Sequence, residues 1–166
     1  MVVSCCCVHE LGDTELGEDT ILCAALVAPG FGSDLSTWRL SIDKTGRLLQ
    51  EVRVANPANS YRDETLCELA RVSLDDLAAL RLFADRIGFR RFRPWYSAGG
   101  TDLPTQVISI RFEDFVKQVE AHGADFIADA PSSPVGETDQ TDMRDFVELW
   151  ERMHNMLPTA ARNHHG

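Results

Sequence analysis

Alternating residues on both sides of the turn 44–46, clearest over 38–43, constrain the fold of this chain most strongly. Trp38, Leu40 and Ile42 alternate with polar residues before the turn, and a second alternating run, 48–54, follows it. Because successive residues of a strand point to opposite faces, the apolar members share one face. The pattern predicts a β-hairpin with one buried face and one wet face.

Further strands are predicted on either side of this hairpin. A second hairpin is expected over 105–112 and 115–121, joined at Glu113-Asp114. The continuous apolar run 20–28, which stops at Pro29, is a buried strand or a short helix, and we favour the strand.

Two amphipathic helices follow the hairpins. Ser73 can cap the first helix, Asp76 completes a capping-box pattern, and Gly88 provides the C-terminal stop. The second helix is expected to begin near Asp142 and to end at Pro158.

The order of these elements predicts an α+β fold in a single domain. We expect a two-layer sandwich: an antiparallel sheet formed by two hairpins and an N-terminal strand, with two helices covering one face. We expect an exposed acidic segment over 1–19, the domain over 20–158 and a flexible tail over 159–166. Residues 61–71 fit helix, strand or loop equally well, and 122–141 read mostly as a connection.

The charge of the chain excludes several classes of function. It carries 26 acidic and 16 basic residues, a formal net charge of −10, which argues against nonspecific binding to nucleic acid or anionic membranes. The middle segment 71–112 is net basic, so any anion site should lie there. No apolar run approaches the ~20 residues that cross a bilayer, so we expect a soluble protein.

The five cysteines include three consecutive ones, Cys5, Cys6 and Cys7. Their spacing fits neither a redox motif nor a zinc site, which predicts reduced thiols in a cytoplasmic protein. The alternative is a lipid-anchored or exported protein, because Val2-Val3-Ser4-Cys5 resembles a lipoprotein cleavage box if the true start lies upstream of Met1.

A basic and aromatic segment over 86–96 is the main binding candidate. Its proposed contact residues are Arg90, Arg91, Arg93, Trp95 and Tyr96. Guanidinium groups beside aromatic rings suit anions and stacked bases, although the arginines can instead pair with acidic groups of the same chain. Exposed Trp95 and Tyr96 would also suit contact with a protein partner.

Catalytic and metal motifs are weak. His122, at the end of a predicted strand, is the best candidate for a general base, but no nucleophile is positioned beside it. Glu151 and His154 have the spacing of a carboxylate-bridged metal site, without the second motif that such a site needs. We therefore expect no cofactor, no metal and no enzymatic activity.

Several short motifs carry a resemblance over about 20–157. They are Gly30-Phe31-Gly32, Trp38-Arg39-Leu40-Ser41-Ile42, Gly46, Val72-Ser73-Leu74, Thr101-Asp102-Leu103-Pro104-Thr105, Ile108-Ser109-Ile110 and Lys117 to Val119. With them the chain resembles a family of small uncharacterised bacterial domains and, more loosely, emfourin-type metalloprotease inhibitors with a hairpin-helix-hairpin-helix pattern. The first resemblance implies a fold without an established activity, and the second favours inhibition or partner binding over chemistry.

The function predicted from these features is protein binding. We expect a non-enzymatic domain that contacts a protein partner or acts as an accessory or inhibitor-like module. A small-molecule or anion binder using segment 86–96 is the alternative, and an enzyme with an unrecognised site is the third. The sequence does not indicate an oligomeric state.

Overall fold

The computed structural model describes most of the domain. The described residues are 16, 18–27, 37–56, 60–66, 71–129 and 137–156. The predictions for the cysteine triplet, the glycine turn 30–32 and the tail 159–166 lie outside these residues.

Seven strands, three α-helices and one 3-10 helix make up the described structure. The strands are β1 (Thr20–Val27), β2 (Thr37–Asp43), β3 (Leu48–Asn56), β4 (Ser60–Leu66), β5 (Trp95–Ser97), β6 (Thr105–Arg111) and β7 (Val116–His122). The helices are α1 (Leu74–Arg86), the 3-10 helix (Phe89–Arg91), α2 (Ala124–Asp129) and α3 (Glu137–His154). The strands form one sheet in the order β4-β3-β2-β1-β6-β7-β5, which confirms the α+β class.

The sheet is mixed, so the prediction of an antiparallel sheet is wrong at one edge. β5 pairs with β7 in parallel, whereas the other pairings are antiparallel. The strands β4 and β5 add to the two hairpins and the N-terminal strand. A three-residue strand such as β5 is too short to show a period, which is why the sequence did not reveal it.

The helices also differ from expectation. α2 lies inside the segment 122–141, and α3 begins at Glu137 rather than near Asp142, so the interpretation of that segment as mostly connection is wrong. α2 has only six residues, fewer than two turns, and so few residues carry little periodic signal. Within the described residues, three α-helices therefore accompany the sheet, where two were expected.

The first helix begins where the sequence predicts. The Ser73 hydroxyl accepts a hydrogen bond from the Asp76 backbone N–H at 3.0 Å and donates one to the Asp76 carboxylate at 2.6 Å. The cap satisfies one N–H at the start of α1 that has no partner within the helix. After the helix, Gly88 adopts the left-handed conformation, with φ 72°, that most other residues avoid.

The turn between β2 and β3 is fixed against the start of α1. The Asp43 carboxylate accepts hydrogen bonds from the Thr45 backbone, the Thr45 hydroxyl and the Arg47 backbone. Gly46, with φ 77°, accepts a bond from the Val72 backbone N–H at 2.8 Å, and an added Cβ would overlap the Val72 carbonyl oxygen. Glycine is therefore required here by both conformation and space.

One face of the sheet shares a core with the helices. Leu40 and Ile108 both lie opposite Ala24 of β1, so apolar side chains from neighbouring strands line up in one row. The buried side chains of all three α-helices belong to the same cluster as this row. Phe83 of α1 and Trp150 of α3 are buried in it, and Trp150 contacts Trp38 with ring centres 5.1 Å apart.

The opposite face of the sheet is different in composition. Its central positions hold small side chains that are buried but lie outside the main cluster, namely Cys23, Ala25, Val107 and Ser109. The Arg39 guanidinium donates a hydrogen bond to the Cys23 sulfur at 3.3 Å. None of the helices in the described part of the chain contributes a buried residue to this face.

The N-terminal segment is attached to the sheet through described residues Leu16 and Asp19, and the Asp19 carbonyl accepts a hydrogen bond from the Lys44 backbone N–H at 3.1 Å. Leu16 is 7% exposed, and its carbonyl oxygen accepts a hydrogen bond from the Arg111 guanidinium at 2.9 Å. The expectation of exposure over 1–19 is therefore wrong at Leu16, although Glu18 and Asp19 are exposed. None of the described helices is long and apolar enough to cross a membrane.

Candidate functional site

The five predicted contact residues lie between α1 and β6. Arg90 and Arg91 belong to the 3-10 helix, Arg93 lies in the connection that follows, and Trp95 and Tyr96 belong to β5. Their side chains separate into those with partners inside the molecule and those that are open to solvent. They do not form one continuous surface.

Arg90 is held against the turn between β6 and β7. Its guanidinium carbon lies 4.0 Å from the centre of the Phe112 ring, and Phe112 stacks on Phe115 with ring centres 5.3 Å apart. The same guanidinium bonds to Asp85 at 3.1 Å and lies 3.8 Å from Asp114. Arg90 is therefore occupied by aromatic and acidic groups of its own chain.

Tyr96 and Arg93 are fastened to the first turns of α3. The Tyr96 hydroxyl donates to the Asp142 carboxylate at 2.6 Å and accepts from the Arg93 backbone N–H at 2.9 Å. The Arg93 side chain lies over the Tyr96 ring and forms an ion pair with Asp139. Because Tyr96 is only 2% exposed, the expectation that it is an exposed contact is wrong.

The environment of Tyr96 changes its acidity. Burial, followed by the hydrogen bond to Asp142, raises the pKa of the phenol to about 12. Both causes disfavour the phenolate, since burial removes water from it and a carboxylate repels it. Tyr96 therefore keeps its proton well above neutral pH and acts as the donor that holds β5 to α3.

Trp95 points away from the helices and is more exposed to solvent than its neighbour Tyr96. Successive strand residues point to opposite faces, so Trp95 lies on the face away from Tyr96 and the helices. It is 49% exposed, whereas Trp38 and Trp150 are 3% and 5% exposed. The indole stacks on the His122 ring with an interplanar angle of 11° and ring centres 6.4 Å apart.

His122 is held in place by both of its ring nitrogens. Nδ1 lies 3.1 Å from the Thr105 hydroxyl, and Nε2 lies within hydrogen-bond distance of the Gly100 carbonyl oxygen. A carbonyl oxygen only accepts, so Nε2 carries a proton and donates to it. This arrangement orients the ring beneath Trp95 and leaves no ring nitrogen open for the general-base role considered from the sequence.

The polar side chains of β7 continue this surface. The Ser109 hydroxyl donates to the Gln118 amide oxygen at 3.1 Å, and the Gln118 amide nitrogen donates to the Glu120 carboxylate at 2.9 Å. Gln118, Glu120 and His122 are two residues apart, so they lie on the same face as Trp95. We refer to Trp95, His122, Glu120 and Gln118 as the Trp95 surface.

Sequence reasoning did not find Gln118 and Glu120. A signal for them was present, because polar Gln118, Glu120 and His122 alternate with apolar Val119 and Ala121 along β7. What was missing was the position of β5, whose parallel pairing puts Trp95 opposite Glu120.

A separate cleft of about 520 Å³ lies between the start of α1 and the end of α3. Arg71, Arg152 and Asn155 are among its polar lining residues, and neither His122 nor His154 belongs to its described lining. Arg152 is bonded to Glu148 at 2.7 Å and lies over the Phe83 ring. This cleft contains none of the five residues predicted as contacts.

His154 and the metal candidates have other surroundings. The His154 ring lies 5.7 Å from the Trp38 ring, at the boundary of the core. Among the described residues, no group of three or more histidine, cysteine, aspartate or glutamate side chains could hold a metal ion.

Comparison with known proteins adds no family to this description. No family model matches the chain, and no curated protein is similar to it.

Proposed function

We propose that this chain is a non-enzymatic domain that binds a protein partner through the Trp95 surface. The observation that carries the proposal is Trp95 itself, a half-exposed tryptophan whose ring is held parallel to His122. A large aromatic side chain with a fixed orientation loses little conformational freedom on binding, and tryptophan is enriched at the energetic centres of protein interfaces.

The surroundings of Trp95 also suit a protein contact. Glu120 lies opposite Trp95 on the neighbouring strand, and Gln118 donates a hydrogen bond to the Glu120 carboxylate. These polar groups suit the rim that surrounds the aromatic centre of an interface. The hydrogen bonds of His122 support binding over catalysis, because they give this histidine a structural use.

The anion-binding alternative is supported by fewer groups. Of the three arginines among the proposed contact residues, Arg90 and Arg93 are paired with aspartates, which leaves exposed Arg91 without an ion-pair partner among the described residues. If an anion binds here, Arg91→Ala should weaken its binding far more than Arg90→Ala. Equal effects would remove this alternative.

We propose a two-layer sandwich, with the helices against one sheet face, and a cytoplasmic location. The resemblance to emfourin-type inhibitors implies a small accessory or inhibitor-like module. We propose that its contact residues lie on the sheet face that points away from the helices. The main apolar cluster, which joins the helices to a single sheet face, supports the two-layer arrangement.

Affinity purification from the native cell followed by mass spectrometry tests this function. The wild-type chain should retain a stoichiometric partner that Trp95→Ala loses. Leu82→Ala is the matched control, because Leu82 is 72% exposed on α1 and lies on a different part of the surface. A partner retained equally by all three chains would overturn the Trp95 surface as the contact.

A further inference from the structure

The outer edge of β5 offers a second kind of contact beside the Trp95 ring. β5 is the last strand of the described sheet, and β7 is its neighbour there. Trp95 and Ser97 are exposed, as are Ala98 and Gly99 immediately after them. An edge strand that is open to solvent can pair with another extended chain.

The hydrogen bonds between β5 and β7 show which backbone groups of β5 remain available. The Pro94 carbonyl accepts from the Glu120 N–H at 2.9 Å, and the Ala98 N–H donates to the His122 carbonyl at 3.0 Å. With Tyr96 paired to Ala121 in the same register, alternate residues of this segment face β7. The N–H and C=O groups of Trp95 and Ser97 therefore point away from the sheet.

We propose that an extended segment of the partner adds to β5 as a further strand and places a lysine or arginine side chain against the Trp95 ring. This inference rests on the proposed function, since it specifies how the partner occupies the same site. Four backbone groups, two from Trp95 and two from Ser97, would bond to the added strand. Main-chain bonds would supply affinity, and the side chain beside Trp95 would supply selectivity.

Charge favours a basic partner over a second copy of this chain. Each copy carries a formal net charge of −10, so two copies repel each other, whereas a basic segment is attracted. The carboxylate of Glu120 lies on the same face as Trp95, and a cation over the indole ring gains further stabilisation. Nearby Arg90 and Arg93 are paired with Asp85 and Asp139, which reduces their repulsion of a basic side chain, and leaves exposed Arg91 as the one of these three without an ion pair among the described residues.

Synthetic peptides of about six residues, a usual strand length, provide the probe. One peptide alternates arginine with threonine and valine, and its matched control carries glutamate in place of arginine. Binding to the full chain is followed by tryptophan fluorescence, to which Trp95 contributes the exposed indole. We expect the arginine peptide to bind at least about tenfold more tightly than the glutamate peptide. Equal affinities, or no binding of either peptide, would overturn the proposal.

Two substitutions at Ser97 separate the backbone contact from the side-chain contact. Ser97→Pro removes the outward N–H and should weaken the arginine peptide about tenfold, whereas Ser97→Ala should leave its affinity unchanged. Amide hydrogen exchange of the wild-type chain provides a readout that needs no variant. The Trp95 and Ser97 amides should become protected when the peptide binds, and unchanged exchange would contradict strand addition.

The same variants distinguish this inference from the proposed function. In the native-cell purification, loss of the partner by both Trp95→Ala and Ser97→Pro supports strand addition. Loss by Trp95→Ala alone overturns strand addition but leaves the Trp95 surface as the contact. Retention by both variants overturns the proposed function as well.

Discussion

The two residues Trp95 and Tyr96 are adjacent in sequence and have opposite roles in the molecule. Tyr96 is buried and donates a hydrogen bond from its hydroxyl to Asp142, while Trp95 is half exposed and stacks on His122. The same contrast extends over the sheet, where one face joins the helix core and the other carries small and polar side chains. An aromatic and basic composition therefore does not identify a binding surface until the direction of each side chain is known.

The largest expected effect comes from the core face. Ile108 is fully buried in the main cluster, so Ile108→Ala should lower the free energy of unfolding by about 3 kcal/mol through lost burial and the cavity left behind. Chemical denaturation measures this loss. Val107→Ala, on the opposite face of the same strand, should cost less, and an equal or larger cost would contradict the difference between the faces.

Removing the Tyr96 hydroxyl should have the next largest effect. Tyr96→Phe deletes a buried hydrogen bond to a carboxylate and should cost about 2 kcal/mol of unfolding free energy at neutral pH.

The pH dependence of stability provides a second readout of Tyr96. Its pKa is about 12 in the folded chain against 10.0 for an ordinary tyrosine, so the folded state holds the proton more tightly. This stabilisation is complete below pH 10 and is lost as the pH rises towards 12. Thermal unfolding across this range should show a steeper decline for the wild type than for Tyr96→Phe, and parallel curves would contradict a raised pKa.

Trp95→Ala should separate binding from stability. Because half of the ring is already in water, its loss should cost about 1 kcal/mol of unfolding free energy, less than the loss at Ile108. Its effect on partner affinity should exceed its effect on folding, as expected of a residue at the centre of an interface. Partner affinity and the free energy of unfolding are measured on the same preparation of Trp95→Ala. If partner binding falls only in proportion to the fraction of unfolded protein, Trp95 is not a contact residue.

The smallest effect is expected at Arg90. Its ion pairs with Asp85 and Asp114 are partly exposed, so Arg90→Ala should cost between about 0.5 and 1 kcal/mol, mainly through the contact with the Phe112 ring. Repeating the denaturation at high salt should shrink this cost slightly. Loss of partner binding in this variant would show that Arg90 is a contact residue after all.

Much of the fold follows from short-range patterns in the sequence. The Ser73 cap and the Gly88 stop mark both ends of α1, because their chemistry is local and independent of the rest of the molecule. The alternating residues of 38–42 and 48–54 likewise occupy paired strands, with Ile42 opposite Leu48.

The candidate site was harder to predict because it depends on long-range pairing. Arg93, Trp95 and Tyr96 receive their environments from α3 and β7, and contacts with Asp142 and His122 span many residues of sequence. The strand β5 has three residues, too few to show a period, so the local sequence does not indicate whether Trp95 or Tyr96 faces the core. The arginines were identified as a basic group, but two of their aspartate partners, Asp114 and Asp139, lie far along the chain.

Photocrosslinking tests the central claim most directly. A photoreactive phenylalanine analogue replaces Trp95 in one protein and Phe126, which is 63% exposed on α2, in another. We expect irradiation in the native cell to join position 95, and not position 126, to one defined partner protein. An adduct formed from position 126 with none from position 95 would contradict it.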